Sequence, residues 1–201
     1  RAALNANTTA SNNTAVGYNS LNLNTTGTSN VAVGTSAGAG ITTGDFNVLV
    51  GHTTGDAITT ADYNVAMGYG SLGADTKGNR NTAIGHNCLA SQNFAVGTDS
   101  YNTAVGTLAG YGVTTGVNNV YMGGSTGSVT TTGAGNIIVG YASQPESASA
   151  STCHGLGYGI VCAGGYTTLG DGTTDSRLAH GGTTWSTVSD ERYKKDIVDS
   201  T

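Results

Sequence analysis

The chain has little charge, almost no proline and no long apolar run. Charged residues make up 9% of its 201 residues and there is 1 proline, whereas about a quarter of the residues in a typical soluble domain are charged. The net charge of −5 and the lack of a basic stripe argue against nucleic-acid binding. No run reaches about 18 apolar residues, the length that a spanning helix needs, so we expect no membrane insertion. The first residue is Arg1 rather than Met, so we expect a fragment of a longer protein.

Cysteine is also scarce. The 3 cysteines, Cys88, Cys153 and Cys162, are an odd number, and the last two lack the spacing of metal ligands. We therefore expect no disulfide framework, no metal site and no cofactor. The cysteines are interpreted as free, small apolar residues in a protein that assembles in a reducing cytosol.

A five-residue motif recurs at a fixed interval. It reads NTAVG at 13–17, returns every 17 residues as far as 81–85, and after an irregular pair resumes the same interval to 136–140. A fixed period with a constant apolar core is typical of stacked repeat folds, in which each copy forms one rung. Between motifs lie turn-like segments such as ITTG at 41–44, with no helical period. We predict an all-β, trimeric parallel β-solenoid (β-roll) with rungs of about 17 residues, followed by a small β-hairpin-rich neck.

The apolar positions of the motif indicate a strand buried on both faces. Positions two and four share one face because side chains alternate along a strand, and position three takes the other face. Position three is mostly Ala, as at Ala32 and Ala66. We expect one face to fill the interior of the roll, and the face with small residues to allow the close approach of another copy of the chain.

Positions one and five of the motif are almost invariant. Asn side chains bond to nearby backbone or to their stacked equivalents, and Gly permits a tight corner. We interpret both columns as structural: Asn13, Gly17, Asn30, Gly34, Asn47, Gly51, Asn64, Gly68, Asn81, Gly85, Asn102, Gly106, Asn119, Gly123, Asn136 and Gly140.

The residue after the motif is the candidate binding position. If rungs stack, Tyr18, His52, Tyr69 and His86 lie along one stripe, which is a candidate contact for a glycan or protein receptor. The alternative is a column of β-prone surface residues with no partner, and this alternative is favoured by base rate. One period also separates Asp45 from Asp62, for which solvated carboxylates are favoured over a cation site.

The repeat defines the expected domain boundaries. Residues 1–143 form the rod, and 144–152, with the single proline, read as a linker. Residues 153–188 are rich in Gly and short β-prone runs, which indicates the neck. Residues 189–201 begin a further domain.

The sequence SDERYKKDI at 189–197 resembles the signature that opens the intramolecular chaperone domain of phage tailspikes and tail fibres, the peptidase S74 family. The resemblance covers nine residues and departs at Tyr193, where Leu is usual. It implies a trimeric chaperone that guides folding of the rod and then cleaves itself off. By this resemblance the dyad is Ser189 and Lys194, in which a Lys amine activates a Ser hydroxyl.

The repeats resemble a second family over about residues 5–141. Motifs of the NxAVG type are similar to those in the heads of trimeric autotransporter adhesins, the YadA-like left-handed parallel β-roll. This resemblance implies three chains packed side by side around a threefold axis.

Together these features predict a homotrimeric structural segment of a viral, bacteriophage tail fibre or tailspike that attaches to a host-surface glycan or protein. Its other partners are tail proteins, and its location is the virion, after assembly in the host cytoplasm. No enzyme activity is expected beyond a single self-cleavage near Ser189. One alternative is the head of a bacterial trimeric autotransporter adhesin. Another is a glycan-cleaving tailspike, which needs paired carboxylates, and its nearest candidates are Asp45, Asp56 and Asp62.

Overall fold

The computed structural model describes residues 2–187, which form an all-β solenoid of about nine turns with a spacing of about 17 residues and no helix among them. Each turn is called a rung. The strands are β1 Thr14–Val16, β2 Val31–Val33, β3 Val48–Val50, β4 Val65–Met67, β5 Gly78–Asn79, β6 Thr82–Ile84, β7 Thr98–Asp99, β8 Thr103–Val105, β9 Val120–Met122, β10 Ile137–Val139, β11 Gln144–Pro145, β12 His154–Gly157, β13 Val161–Cys162, β14 Tyr166–Gly170, β15 Ser176–Ala179 and β16 Ser186–Thr187.

One sheet of 12 strands runs the length of the solenoid. Its strands pair in parallel at equal motif positions, so that Val48 opposes Val65 in the next rung. The interval lengthens once, where Thr82 of β6 opposes Thr103 of β8. Near the end of the sheet, β14, β15 and β16 pair in antiparallel fashion. The predicted rung length and parallel stacking are thus confirmed.

The predicted assignment of inner and outer faces is wrong. Position three of the motif points inward and is fully buried, as at Ala32, Leu49 and Ala66. The larger residues at positions two and four lie on the outside of the sheet, where Val16 and Met67 are exposed. The physical reason is space, because the interior of one rung is narrow and the side chain at position three shares it with residues from the opposite wall.

Side-chain volume is balanced across this interior. A β-carbon on Gly38 would lie 2.8 Å from Leu49 Cδ1, and one on Gly55 would lie 2.9 Å from Leu49 Cδ2. The largest inner side chain, Tyr121, lies against Gly110 in the same way, and its hydroxyl donates a hydrogen bond to Thr130 Oγ1 at 3.0 Å. Large residues at position three are therefore accommodated by glycine on the opposite wall.

The asparagines at position one join the rungs. Asn47 is fully buried, and its Oδ1 accepts a hydrogen bond from the backbone N–H of Asn64 in the next rung at 3.0 Å. Its Nδ2 donates to the carbonyl of Ala61, on the far side of its own rung, at 2.8 Å. Both bonds recur at Asn30, Asn64, Asn102, Asn119 and Asn136.

The glycines at position five allow adjacent rungs to approach closely. Gly51 has a φ of 141°, in the region that favours glycine, and a β-carbon there would lie 2.7 Å from the carbonyl oxygen of Gly68. Any side chain at this position would push the next rung away. Gly is therefore required by both backbone conformation and space.

The ladder continues through 144–152, the segment expected to be a linker. The backbone N–H of Thr131 donates to the carbonyl of Ala148 at 2.8 Å, and Asn136 Nδ2 donates to the carbonyl of Ala150 at 2.9 Å. The next strand is in register, with Ile137 opposite His154. Residues 144–152 thus form the side of another rung that lies opposite its strand.

The cysteines divide into two types. Cys153 and Cys162 are joined as a disulfide, with their Cα atoms 5.6 Å apart, which corrects the expectation that all three cysteines are free. Their spacing in sequence gave no sign of this, because the two cysteines come from different sheets: Cys153 directly precedes β12 of the 12-stranded sheet, and Cys162 lies in β13, which pairs with β11. Cys88 is free and fully buried, and burial raises the pKa of its thiol to about 12.

Candidate functional site

Three of the four predicted stripe residues lie together. The ring centroids of His52 and Tyr69 are 5.4 Å apart with an interplanar angle of 3°, and those of Tyr69 and His86 are 5.4 Å apart at 14°. These three residues, called the C-edge stripe, follow β3, β4 and β6 at the C-terminal edge of the sheet. Tyr18 is exposed and lies two rungs before His52, with Thr35 between them.

Stacking decides which atoms of the C-edge stripe are available to a partner. The faces of the Tyr69 ring are covered by the two imidazoles, so they cannot also stack on a sugar ring. Tyr69 is nevertheless 52% exposed, and this exposed part is the ring edge and hydroxyl. The stripe therefore offers polar edges and aromatic C–H groups to a neighbour.

A second stripe borders the opposite edge of the same strands, and the sequence analysis missed it. Phe46 and Tyr63 stack with centroids 5.1 Å apart and an interplanar angle of 4°. The guanidinium of Arg80 lies 4.7 Å from the Tyr63 centroid and 5.8 Å from that of Tyr101, within the range of cation–π attraction. Asp99 pairs with Arg80 at 3.1 Å. Phe46, Tyr63, Arg80 and Tyr101 are called the N-edge stripe.

The N-edge stripe could not be predicted from the sequence because it depends on an unusual backbone conformation. Phe46, Tyr63, Arg80 and Tyr101 have φ values of 57°, 60°, 62° and 49°, in the left-handed region that aromatic residues rarely adopt. Nothing in their residue types suggests this shared geometry. The one available signal was position, because each residue directly precedes the Asn of its motif.

An apolar surface lies between the two stripes. Its side chains come from positions two and four of the motifs and are called the outer face: Thr14, Val16, Val31, Val33, Val48, Val50, Val65, Met67, Thr82, Ile84, Thr103, Val105, Val120, Met122, Ile137 and Val139. Met67 is 41% exposed and Ile137 is 45% exposed. The outer face contains no charged residue. It is therefore a long, largely apolar strip of the kind that marks an interaction surface.

The irregular rung near residue 93 carries a small protrusion. Phe94 is buried and anchors it, whereas Val96 at its tip is 70% exposed. Lys77 Nζ donates to the carbonyl of Ala95 at 3.2 Å and holds the protrusion against the preceding rung. Insertions in repeat folds often lie on a binding face, so this protrusion is a further candidate contact.

A buried polar cluster supports the irregular rung from inside. Asp75 Oδ2 accepts a hydrogen bond from Gln92 Nε2 at 2.6 Å, and Gln92 Oε1 accepts one from Asn102 Nδ2 at 2.8 Å. All three side chains are fully buried. Burial raises the pKa of Asp75, while its hydrogen bonds to Gln92 and the backbone lower it less strongly.

The acidic candidates have structural partners. Asp62 Oδ1 accepts the backbone N–H of Asp45 at 2.7 Å, and Asp45 Oδ1 accepts that of Thr28 at 2.5 Å. Both carboxylates thus link successive rungs. Asp56 stands apart from this ladder, and burial is the main cause of its raised pKa. Among residues 2–187, no three His, Cys, Asp or Glu side chains are grouped so that they could hold a metal ion.

Two histidines that the sequence analysis did not single out meet near the end of the sheet. The rings of His154 and His180 are 4.5 Å apart and tilted by 39°. Burial, and then the neighbouring His180, lower the pKa of His154. His154 occupies position two of its rung, so this pair lies at the end of the outer face.

The predicted cleavage dyad, Ser189 and Lys194, lies outside the described residues. Within residues 2–187 there is no helix with the length and apolar character needed to cross a membrane. No protein-family model, no curated protein and no solved structure matches the chain.

Proposed function

We propose that the protein is a homotrimeric structural segment of a viral tail fibre or tailspike, from a bacteriophage, and that it attaches the virus to the host surface. The observation that carries this proposal is the uncharged outer face, which extends along the whole rod and is bordered on both sides by ordered side chains. A rod whose largest apolar strip is exposed needs a partner of the same length. A second and third copy of the chain meet that need.

Three copies suit the outer face better than a partner of different shape. The strip repeats at every rung, so an identical strip in parallel matches it at every level. Threefold packing directs all three strips towards one central axis and removes them from water. Burying apolar surface stabilises the assembly by about 25 cal/mol per Å².

The viral assignment is supported by the sequence at 189–197. Its resemblance to the opening of the S74 chaperone domain suggests a junction that cleaves itself near Ser189, with Lys194 as the base. In this proposal the partners are two further copies of the chain, other tail proteins, and a host-surface glycan or protein. The protein is assembled in the host cytoplasm and located in the virion.

Attachment through such a rod depends on repetition. Each surface feature is presented three times by a trimer, so that weak contacts gain avidity. Tyr18, His52, Tyr69 and His86 stay predicted receptor contacts where copies of the chain leave them accessible, and the protrusion at Val96 is a second candidate. The rod itself supplies rigidity through its backbone and Asn ladders.

The direct test is the native mass of the protein by multi-angle light scattering. The proposal predicts a mass near three times the 19.9 kDa chain. A folded monomer over a wide range of concentrations would contradict the trimeric rod, and with it the proposed mode of attachment.

A further inference from the structure

We propose that the N-edge stripe of one copy packs against the C-edge stripe of the next copy, which forms three identical seams along the trimer. The proposal rests on the trimer described above and names the surfaces that join it. Each seam brings Phe46, Tyr63 and Arg80 of one chain beside His52, Tyr69 and His86 of its neighbour.

The geometry of three flat faces places the stripes together. Three strips directed towards a threefold axis enclose a triangular prism, and at each corner the edge of one strip meets the opposite edge of the next. In a threefold cyclic assembly the contact is heterologous, so different surfaces of the two copies meet. The N-terminal edge of each sheet therefore faces the C-terminal edge of its neighbour.

The area of the outer face shows that the edges must contribute. The eight parallel strands of the outer face, about 4.8 Å apart and three residues wide, make a strip with a projected area of roughly 380 Å². A stable interface buries about 800 Å² on each partner. The strip alone falls short of that area, and the exposed side chains directly beside it are those of the two stripes.

The two stripes occupy the same rungs. Phe46 and His52 flank β3, Tyr63 and Tyr69 flank β4, and Arg80 and His86 flank β6. In copies aligned at equal height, each ring of one stripe meets a ring or guanidinium of the other. The preceding rung has the smaller residues Ser29 and Thr35 at these positions, so large side chains begin on both edges at the same rung, that of β3.

The chemistry of the stripes suits contact through their edges. The central rings are covered on both faces, Tyr63 by Phe46 and Arg80 and Tyr69 by His52 and His86, which leaves their ring edges and hydroxyls for contact with a neighbour. Arg80 is held in place by Tyr63 and Asp99, so ordering it in an interface costs little further entropy. Tyr, Phe and Arg are also enriched in protein interfaces.

The seam can be tested by cross-linking a Tyr63→Cys/Tyr69→Cys double variant under mild oxidation. The three extended residues of β4, about 10 Å of chain, lie between the two positions within one chain, and this exceeds the roughly 7 Å between Cα atoms that a disulfide spans. Bonds can therefore form only between chains. We expect a closed covalent trimer on a denaturing, non-reducing gel, and monomers from each single variant.

A matched control replaces one seam position with an exposed residue on the turn side. Thr60→Cys/Tyr69→Cys is expected to stay monomeric on the same gel, because Thr60 is exposed in the turn region of the rung, away from the strand and its two edges. A second pair, Phe46→Cys/His52→Cys, tests the seam one rung away. Equal cross-linking of the control would overturn the assignment.

Light scattering of the unoxidised variants separates this inference from the proposed function. A native trimer in which neither seam pair cross-links would overturn the seam and leave the trimeric rod intact. A monomeric native mass would overturn both. A covalent trimer from both pairs also excludes His52, Tyr69 and His86 as freely accessible receptor contacts.

Discussion

The two faces of the long sheet are built from similar apolar residues but differ in what covers them. On the inner face, Leu49 is fully buried between Gly38 and Gly55. On the outer face, Met67 and Ile84 remain 41% and 36% exposed. The inner face is completely covered within one chain, whereas the single chain leaves the outer face exposed, and in the proposed trimer two further copies cover it. Neighbouring side chains of one strand thus have separate roles: those on the inner face stabilise the rung, and those on the outer face are free for the proposed assembly of the rod.

The largest loss of unfolding free energy is expected from Leu49→Ala on the inner face. This change removes a buried side chain that the two glycines cannot replace, and such cavities cost about 2–5 kcal/mol of unfolding free energy. The neighbouring Val50→Ala is the matched control on the outer face and should cost far less in a dissociated chain. Urea unfolding of both variants at low protein concentration measures the difference, and equal losses would contradict the assignment of faces.

Asn64→Ala tests the ladder of asparagine hydrogen bonds that joins each rung to the next. It leaves the backbone N–H of Asn81 and the carbonyl of Gly78 without their partners, which lie at 2.9 Å in both cases. A buried unpaired group costs about 1–3 kcal/mol. We expect a lower urea midpoint and faster amide hydrogen exchange at Asn81. The exposed Asn7→Ala serves as control, and an effect no larger than this control would argue against a structural role.

Asp75 gives the interior of the rung a dependence of stability on pH. Burial raises its pKa above the ordinary value of 3.8, so the folded state holds its proton more tightly than the unfolded state. Its contribution is therefore most favourable at or below pH 3.8 and is lost as the pH rises through the raised pKa. The free energy of unfolding of wild type minus that of Asp75→Asn should fall from pH 4 to pH 7. A difference that is constant with pH would contradict this assignment.

The sequence predicted the repeat but not its orientation. The interval of 17 residues and the alternation within the motif were enough to predict a parallel solenoid. Alternation alone shows that Val48 and Leu49 point to opposite sides, not which side is inside, because both columns are apolar. The answer depends on glycines such as Gly38 on the opposite wall, whose relation to Leu49 appears only once the rung is closed.

Other features could not be predicted from the sequence because they depend on contacts between distant segments of the chain. Residues 144–152 lack the motif and contain the single proline, yet they complete a rung through backbone hydrogen bonds such as that of Thr131 to Ala148. Cys153 meets Cys162 only once the sheet that contains β12 and the sheet that contains β13 have both formed. The N-edge stripe depends on left-handed backbone at Phe46 and Tyr63. The C-edge stripe was predicted because its residues follow an invariant glycine at a constant interval.

The most direct test of the account is the native mass of Val48→Lys/Val65→Lys beside that of wild type. These lysines lie on the outer face, so they should prevent packing around the axis without disturbing the interior of the rung. We predict a mass near three times 19.9 kDa for wild type, and a folded monomer, with unchanged β-sheet circular dichroism, for the variant. A trimeric variant, or one that is unfolded, would contradict the claim that the outer face joins the chains and the inner face folds them.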